Sequence, residues 1–130
     1  MMKRSLVSIL LLAGCAMQQS PASTSDVELH GKGSASFSID TPSISGAGRV
    51  SGRVCRRPGR ALRYPPHIEI DHLAADGSVR EKTLAGFPYL SPRPDQRCGH
   101  YSASLAQPIT AGDKVVACIA SRAGECSKRP

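Results

Sequence analysis

Short runs in which apolar and polar side chains alternate recur along the chain from residue 34 onward. Successive side chains of an extended strand point to opposite faces, so alternation with a period of two predicts half-buried strands. The clearest run is residues 100–105, where Tyr101, Ala103 and Leu105 alternate with polar side chains. Residues 34–39 predict a first strand, at a sheet edge that a partner's strand can join.

The remaining strands are predicted at residues 49–55, 67–73, 78–84 and 115–120. Asp76-Gly77 lies between two of them, and an Asp-Gly pair between extended runs predicts a β-hairpin. The last run is apolar on both faces, which is typical of a central strand covered on both sides. Short strands separated by Pro and Gly, with no helical period, predict an all-β fold: a small β-sandwich of immunoglobulin-like or transthyretin-like type.

The amino terminus has a different pattern. Lys3 and Arg4 precede an apolar run, residues 6–12, that is too short for a permanent membrane span. The run ends in Leu12-Ala13-Gly14-Cys15, which resembles the lipobox of bacterial lipoproteins. The resemblance implies that residues 1–14 are a cleaved signal peptide and that Cys15 carries a diacylglyceryl group and an acylated amino terminus.

The lipobox resemblance also predicts a location and a domain layout. Ala16 follows Cys15 where an Asp would imply retention in the inner membrane, so we expect the outer membrane, with the protein facing the periplasm. Residues 15–33 are rich in Ser, Gln, Ala and Thr and predict a flexible tether. We assign residues 34–126 to one β-sandwich domain and 127–130 to a tail.

Basic residues exceed acidic ones, 17 to 10, which gives a formal net charge of +7. Loss of Lys3 and Arg4 with the signal peptide lowers this to +5. The candidate anion-binding residues are Arg49, Arg53, Arg56, Arg57, Arg60 and Arg63. Such a cluster suits phosphate or carboxylate groups of an anionic glycan or lipid, and its alternative role is a solvated face that keeps the domain soluble. Nucleic acid is not expected as a partner, because the chain has no Trp to stack on bases.

Four cysteines remain after Cys15, namely Cys55, Cys98, Cys118 and Cys126. An even number in an exported chain predicts two disulfides. Four cysteines allow three pairings. We favour Cys98–Cys126 with Cys55–Cys118 as a bridge across the sandwich, and the two other pairings stay open.

No motif predicts catalysis, a cofactor or a metal site. His67, Glu69 and Asp71 share one face of a predicted strand, and their ligand types suit zinc or copper. Alternating polar residues are equally typical of any solvent-facing strand, and no fourth ligand is identifiable. Since a nucleophile motif such as G-x-S-x-G is also absent, we predict a non-enzymatic protein.

A second resemblance covers about twenty-five residues. The chain reads Val-Ser-Gly-Arg-Val-Cys-Arg-Arg from residue 50, then Arg60-Ala61-Leu62 and Pro65-Pro66-His67-Ile68-Glu69-Ile70. This is similar to the YbaY/YscW-type lipoproteins, which are small β-sandwiches that include pilotins of type III secretion. Here Arg63-Tyr64 is inserted before the two prolines, and the four cysteines are additional. The resemblance implies a role in guiding an outer-membrane assembly by protein contact.

Together these features predict an outer-membrane-anchored lipoprotein that acts as a binding or assembly module for a component of the cell envelope. Its expected partners are the membrane, through the lipid, and an envelope protein. The alternative belongs to another functional class: a periplasmic inhibitor or an anionic-ligand-binding lipoprotein that uses the arginine cluster.

Overall fold

The structure is a computed structural model that describes residues 26–46, 48–59, 66–91, 93, 97–121 and 126. These residues form eight strands and no α-helix. The strands are β1 (Glu28–Lys32), β2 (Phe37–Ile39), β3 (Ser43–Ser45), β4 (Arg49–Arg56), β5 (His67–Leu73), β6 (Val79–Ala85), β7 (Cys98–Ser104) and β8 (Lys114–Ala120). Two sheets of these strands pack face to face, which confirms the predicted all-β sandwich.

The first sheet has the strand order β1-β8-β5-β6. β8 pairs antiparallel with β5 along its whole length, and β1 runs parallel to β8 on its other side. Six consecutive residues of β8, from Val115 to Ala120, are buried. The prediction of a central strand covered on both faces is therefore confirmed.

The second sheet is built around β4. β7 pairs antiparallel with one side of β4 over seven residue pairs. β2 and β3 pair one after the other with its opposite side. Pro42, between these two short strands, has no amide proton to donate, so the ladder is interrupted there.

The core lies between the inward-facing side chains of the two sheets. Its largest fully buried aliphatic members are Val50, Val54, Ile68, Ile70, Val115 and Ile119. The inner row of β4 contains Gly52, and the ring of Tyr101 on β7 occupies the space that a side chain would fill. A Cβ at Gly52 would lie 2.5 Å from the Tyr101 hydroxyl oxygen, so glycine is required for this ring to enter the core.

The side chain of Tyr101 places a hydroxyl group in the core, where it has no hydrogen-bond partner among the described residues. Its side chain is buried, and the hydroxyl oxygen makes no hydrogen bond in the described structure. Burial, together with the charge of Asp40, raises the pKa of Tyr101 to about 12. A buried polar group without a partner costs about 1–3 kcal/mol.

We expect Tyr101→Phe to raise the free energy of unfolding by about 1 kcal/mol, because it removes this unpaired hydroxyl and keeps the ring. Urea denaturation measures the change. Tyr89→Phe is the matched control, since Tyr89 is 88% exposed and should show almost no effect. A destabilised Tyr101→Phe protein would mean that the hydroxyl has a bonding partner after all.

The predicted hairpin at Asp76-Gly77 is confirmed between β5 and β6. Gly77 has φ of +87°, a conformation that glycine adopts without steric cost. The Asp76 carboxylate accepts hydrogen bonds from the amide and the hydroxyl of Ser78. These local bonds close the turn, which explains why the sequence alone located it.

Two predicted boundaries are wrong. β1 lies inside residues 15–33, which we predicted as tether. Its side chains show only one inward apolar position, Leu29, and the strand forms because its backbone pairs with β8. The strand predicted at residues 34–39 shortens to β2, because the Ser34 amide bonds the Phe37 carbonyl and makes a turn there.

The favoured disulfide pairing is also wrong. The structure has Cys55–Cys98 and Cys118–Cys126 in place of Cys98–Cys126 and Cys55–Cys118. Cys55 and Cys98 are cross-strand neighbours on β4 and β7, whereas Cys118 lies in the other sheet and faces away from the core. A bridge from Cys55 to Cys118 would have to cross the packed interior.

Candidate functional site

The outer surface of the second sheet carries polar side chains almost exclusively. Alternate residues of β4 and β7 point away from the core, and cross-strand partners point to the same side. The outward members are Arg49, Ser51, Arg53 and Cys55 of β4, Cys98, His100, Ser102 and Ser104 of β7, Ser38 of β2, and Ser43 and Ser45 of β3. We call this surface the serine–arginine face.

The two arginines of the serine–arginine face have different partners. Arg53 Nε donates to Asp40 Oδ2 at 3.0 Å, and both side chains are about half exposed. Arg49 Nη2 donates to the Ser102 hydroxyl oxygen at 3.1 Å. Since its partner is a neutral hydroxyl, the positive charge of Arg49 is not balanced by this contact. Arg49 is therefore the cation of this face best suited to an incoming anion.

The structure describes four of the six predicted anion-binding arginines and does not place these four on one surface. Arg49 and Arg53 lie on the serine–arginine face, but Arg56 is on the opposite side of β4 in the strand's alternation. Arg57 Nε donates to the Ser34 carbonyl at 3.1 Å and fastens the connection between β1 and β2. Arg60 and Arg63 lie outside the described residues, as does Cys15.

Sequence reasoning found the polar side of β7 but missed its relation to Arg49. The alternation around Tyr101 already assigned His100, Ser102 and Ser104 to one face. No local signal indicated that β4 is the neighbour of β7, because the paired residues are about fifty positions apart in the chain. The only available signal was the cysteine pair, one on each strand.

A second polar cluster lies on the outer surface of the first sheet. Glu69 and Asp71 are only 3% and 6% exposed, and Lys82 Nζ lies 3.2 Å and 3.3 Å from their carboxylate oxygens. Burial raises the pKa of Asp71, and the negative charge of the neighbouring Glu69 raises it further. The positive charge of Lys82 lowers this pKa but only partly offsets the rise. The lysine neutralises carboxylates that burial would otherwise penalise.

His67, the third member of the triplet considered for metal binding, is exposed on the same strand. Lys82 places an ammonium group between the other two members, where a metal ion would have to compete with it. Within the part of the chain that the structure describes, no three His, Cys, Asp or Glu side chains are arranged to hold a metal ion.

A histidine–aspartate pair is enclosed between the sheets, where sequence reasoning did not place one. His72 Nε2 donates to Asp113 Oδ2 at 2.7 Å, and neither side chain is accessible to solvent. The Thr110 amide and hydroxyl also donate to the Asp113 carboxylate. Burial would raise the pKa of Asp113, but the bonds from Thr110 and His72, together with the charge of Arg80 at 3.5 Å, outweigh it and hold that pKa below its ordinary value.

The enclosed position of the His72–Asp113 pair bears on whether it could act as a general acid or base. General acid–base catalysis requires the catalytic side chain to come within hydrogen-bonding distance of a substrate. His72 and Asp113 are fully enclosed, so their arrangement serves to attach the turn before β8 to β5. The serine–arginine face is the accessible candidate for binding.

The described residues contain no helix long and apolar enough to cross a lipid bilayer. Comparison of the chain with protein-family models, with curated protein sequences and with solved structures gave no match.

Proposed function

We propose that the chain is a bacterial lipoprotein, held by acyl groups on Cys15 at the periplasmic side of the outer membrane, that binds an envelope protein and catalyses no reaction. The observation that carries this proposal is the sequence Leu12-Ala13-Gly14-Cys15 at the end of a short apolar run with a basic start. Each buried methylene group of an acyl chain contributes about 0.8 kcal/mol, so two or more chains anchor a protein stably.

The folded part of the chain supports a binding role. Twelve residues separate Cys15 from Glu28, the first residue of β1, and a coil of that length has a reach of about 20 Å. Such a spacer lets a sandwich present the serine–arginine face beyond the lipid headgroups. The likeness of residues 50–70 to YbaY/YscW-type lipoproteins favours a pilotin-like or secretion-accessory role.

Replacement of the lipidated cysteine tests the anchor. We expect Cys15→Ser to move the protein from the membrane fraction to the soluble fraction of the periplasm, because the attachment of acyl chains requires the Cys15 sulfur. Fractionation after a high-salt wash measures this, since salt removes proteins held only by their net positive charge. Ala16→Ser is the control and should stay with the membrane.

Two results would contradict the anchor. One is a Cys15→Ser protein that remains in the membrane fraction after the high-salt wash. The other is a mass spectrum of the mature wild-type protein that shows an unmodified amino terminus.

A second candidate function, binding of an anionic glycan or lipid, is favoured by the unbalanced charge of Arg49. Affinity recovery of the lipidated protein after cross-linking distinguishes the two functions. A stoichiometric protein partner supports the assembly role. Enrichment of a phosphorylated or carboxylated glycan or lipid without protein, lost in Arg49→Glu, supports the alternative.

A further inference from the structure

β7 forms an edge of the second sheet, and about half of its backbone amides and carbonyls have no partner strand among the described residues. The Arg56 amide bonds the Arg97 carbonyl, and the Leu105 amide bonds the Gly48 carbonyl. Hydrogen-bonded pairs alternate along an antiparallel ladder, so residues 99, 101 and 103 bond to β4. The amides and carbonyls of residues 98, 100, 102 and 104 point to the other side, where no described strand pairs with them.

The other edges of the sandwich carry features that oppose the addition of a strand. β6 has three consecutive charged residues, Arg80, Glu81 and Lys82, and its pairing with β5 contains a bulge. β2 and β3 have three residues each. Charges, bulges and short length are the usual protections of an exposed sheet edge.

β1 is protected by its position as well as by its charges. A Cβ at Gly31 would lie 2.8 Å from the Asp40 carbonyl oxygen, so the backbone next to β2 is already in close contact with β1. Glu28 and Lys32 add a charge near each end of the strand. This side of the sandwich is closed.

β7 lacks the charges, the bulge and the short length of the other edges, and its hydrogen-bonded tie to β6 among the described residues lies just beyond its end, where the Ala106 amide donates to the Glu81 carboxylate. Its sequence, Cys98-Gly99-His100-Tyr101-Ser102-Ala103-Ser104, contains no Lys, Arg, Asp, Glu or Pro. It pairs with β4 over seven residues without a bulge. A long, regular and uncharged edge strand is the kind of surface to which an extended peptide adds.

Arg49 determines which peptide fits this edge. Its guanidinium reaches from β4 to the Ser102 hydroxyl and therefore lies over β7, beside the open edge. A strand added there lies about 4.8 Å from β7, and its outward side chains reach the same side as Arg49. A carboxylate at such a position pairs with the guanidinium, whereas an ammonium group is repelled.

We propose that the free edge of β7 binds an extended, acidic segment of a partner protein as an added strand. The inference rests on the proposed binding function and names the surface and the chemistry of the partner. A second copy of this chain fits less well, because pairing two β7 strands places two Arg49 guanidinium groups over adjacent strands. Like charges in that arrangement repel.

Two synthetic peptides test the proposal with the full-length lipidated protein in detergent micelles. In one, threonine alternates with glutamate; in the other, threonine alternates with lysine. Fluorescence anisotropy at low ionic strength should give a dissociation constant about tenfold lower for the glutamate peptide, which corresponds to about 1.4 kcal/mol. Equal binding of both peptides would overturn the role of Arg49, and no binding of either would overturn the site.

Ser102→Pro addresses the edge directly. It removes one outward amide proton and keeps the bonds to β4, a position at which edge strands accept proline. We expect binding of the glutamate peptide to fall at least about tenfold, while Ser102→Ala, which also loses the hydroxyl that Arg49 contacts but keeps the amide, binds as the wild type does. Arg49→Glu is an exposed substitution that leaves the strand intact, and it should reverse the preference for the glutamate peptide over the lysine peptide. This variant tests the site if Ser102→Pro fails to fold.

Hydrogen exchange locates the bound peptide. The amides of Cys98, His100, Ser102 and Ser104 should exchange rapidly in the free protein and become protected with the glutamate peptide. Protection at β6 or β3 instead would overturn the assignment. Protection of the β7 amides without peptide, together with a dimer by sedimentation, would identify a second copy as the occupant and overturn the acidic segment.

The outcomes separate this inference from the proposed function. A protein partner recovered equally well by wild type and Ser102→Pro leaves the assembly role standing and refutes the β7 site. A Cys15→Ser protein that stays in the membrane refutes the anchor, whatever the peptides do.

Discussion

Removal of the Cys55–Cys98 disulfide by the double substitution Cys55→Ala/Cys98→Ala is expected to lower the free energy of unfolding by about 4 kcal/mol. A disulfide limits the conformations of the unfolded chain, and the effect grows with the length of the closed loop. Cys55 and Cys98 are 43 positions apart. A domain of this size has a total stability on the order of 5–15 kcal/mol, so the loss is a large share of it.

The second disulfide is the matched control. Cys118 and Cys126 are 8 positions apart, and the same relation gives about 2.5 kcal/mol for Cys118→Ala/Cys126→Ala. Urea denaturation of both variants should preserve this order. A larger loss from the short loop would mean that contacts of the buried Cys118 and Cys126 outweigh the restriction of the unfolded chain.

Loss of the Asp113 carboxylate should have the second largest effect. We expect Asp113→Ala to lower the free energy of unfolding by about 3 kcal/mol, because it leaves the enclosed His72 and the Thr110 amide without their acceptor. Thermal and urea denaturation measure the loss. Asp76→Ala is the control, since Asp76 caps an exposed turn through Ser78 and its removal costs much less.

The Asp113 pKa adds a dependence on pH with a definite sign. Since this pKa is lower in the folded protein than in the unfolded chain, ionised Asp113 contributes stability that is present above about pH 4 and is lost as the pH falls through the folded value. The gap in stability between wild type and Asp113→Asn should therefore narrow below about pH 4. A constant gap across that range would contradict the assigned pKa direction.

Local pattern predicted much of the fold. β5 is found with its predicted bounds, and β8 within one residue of its own, because alternation or a continuous apolar run was present in the strand itself. β1 was missed because it has a single inward apolar side chain, Leu29, and a glycine. Its stability comes from a parallel ladder with β8, more than eighty residues away, and no local signal reports such a contact.

The candidate site was predicted in its parts but not in its arrangement. Polar positions on β4 and β7 followed from the alternation, and the arginines followed from composition. Pairing of these two strands joins residues far apart in the chain, and only that pairing brings Arg49 to Ser102 and Cys55 to Cys98. Which described arginines share a surface follows from the alternation along β4, which separates Arg56 from Arg49 and Arg53.

The parallel pairing of β1 with β8 also separates the two ends of the first sheet by what each carries. Glu28 lies beside Lys114 and Lys32 beside Cys118, so the chain enters at one end of the first sheet and β8 leaves at the opposite end. Under the proposed attachment at Cys15, the spacer therefore joins the sandwich at the end that carries Glu28 and Lys114, and the Cys118–Cys126 bridge lies toward the opposite end of the sheet.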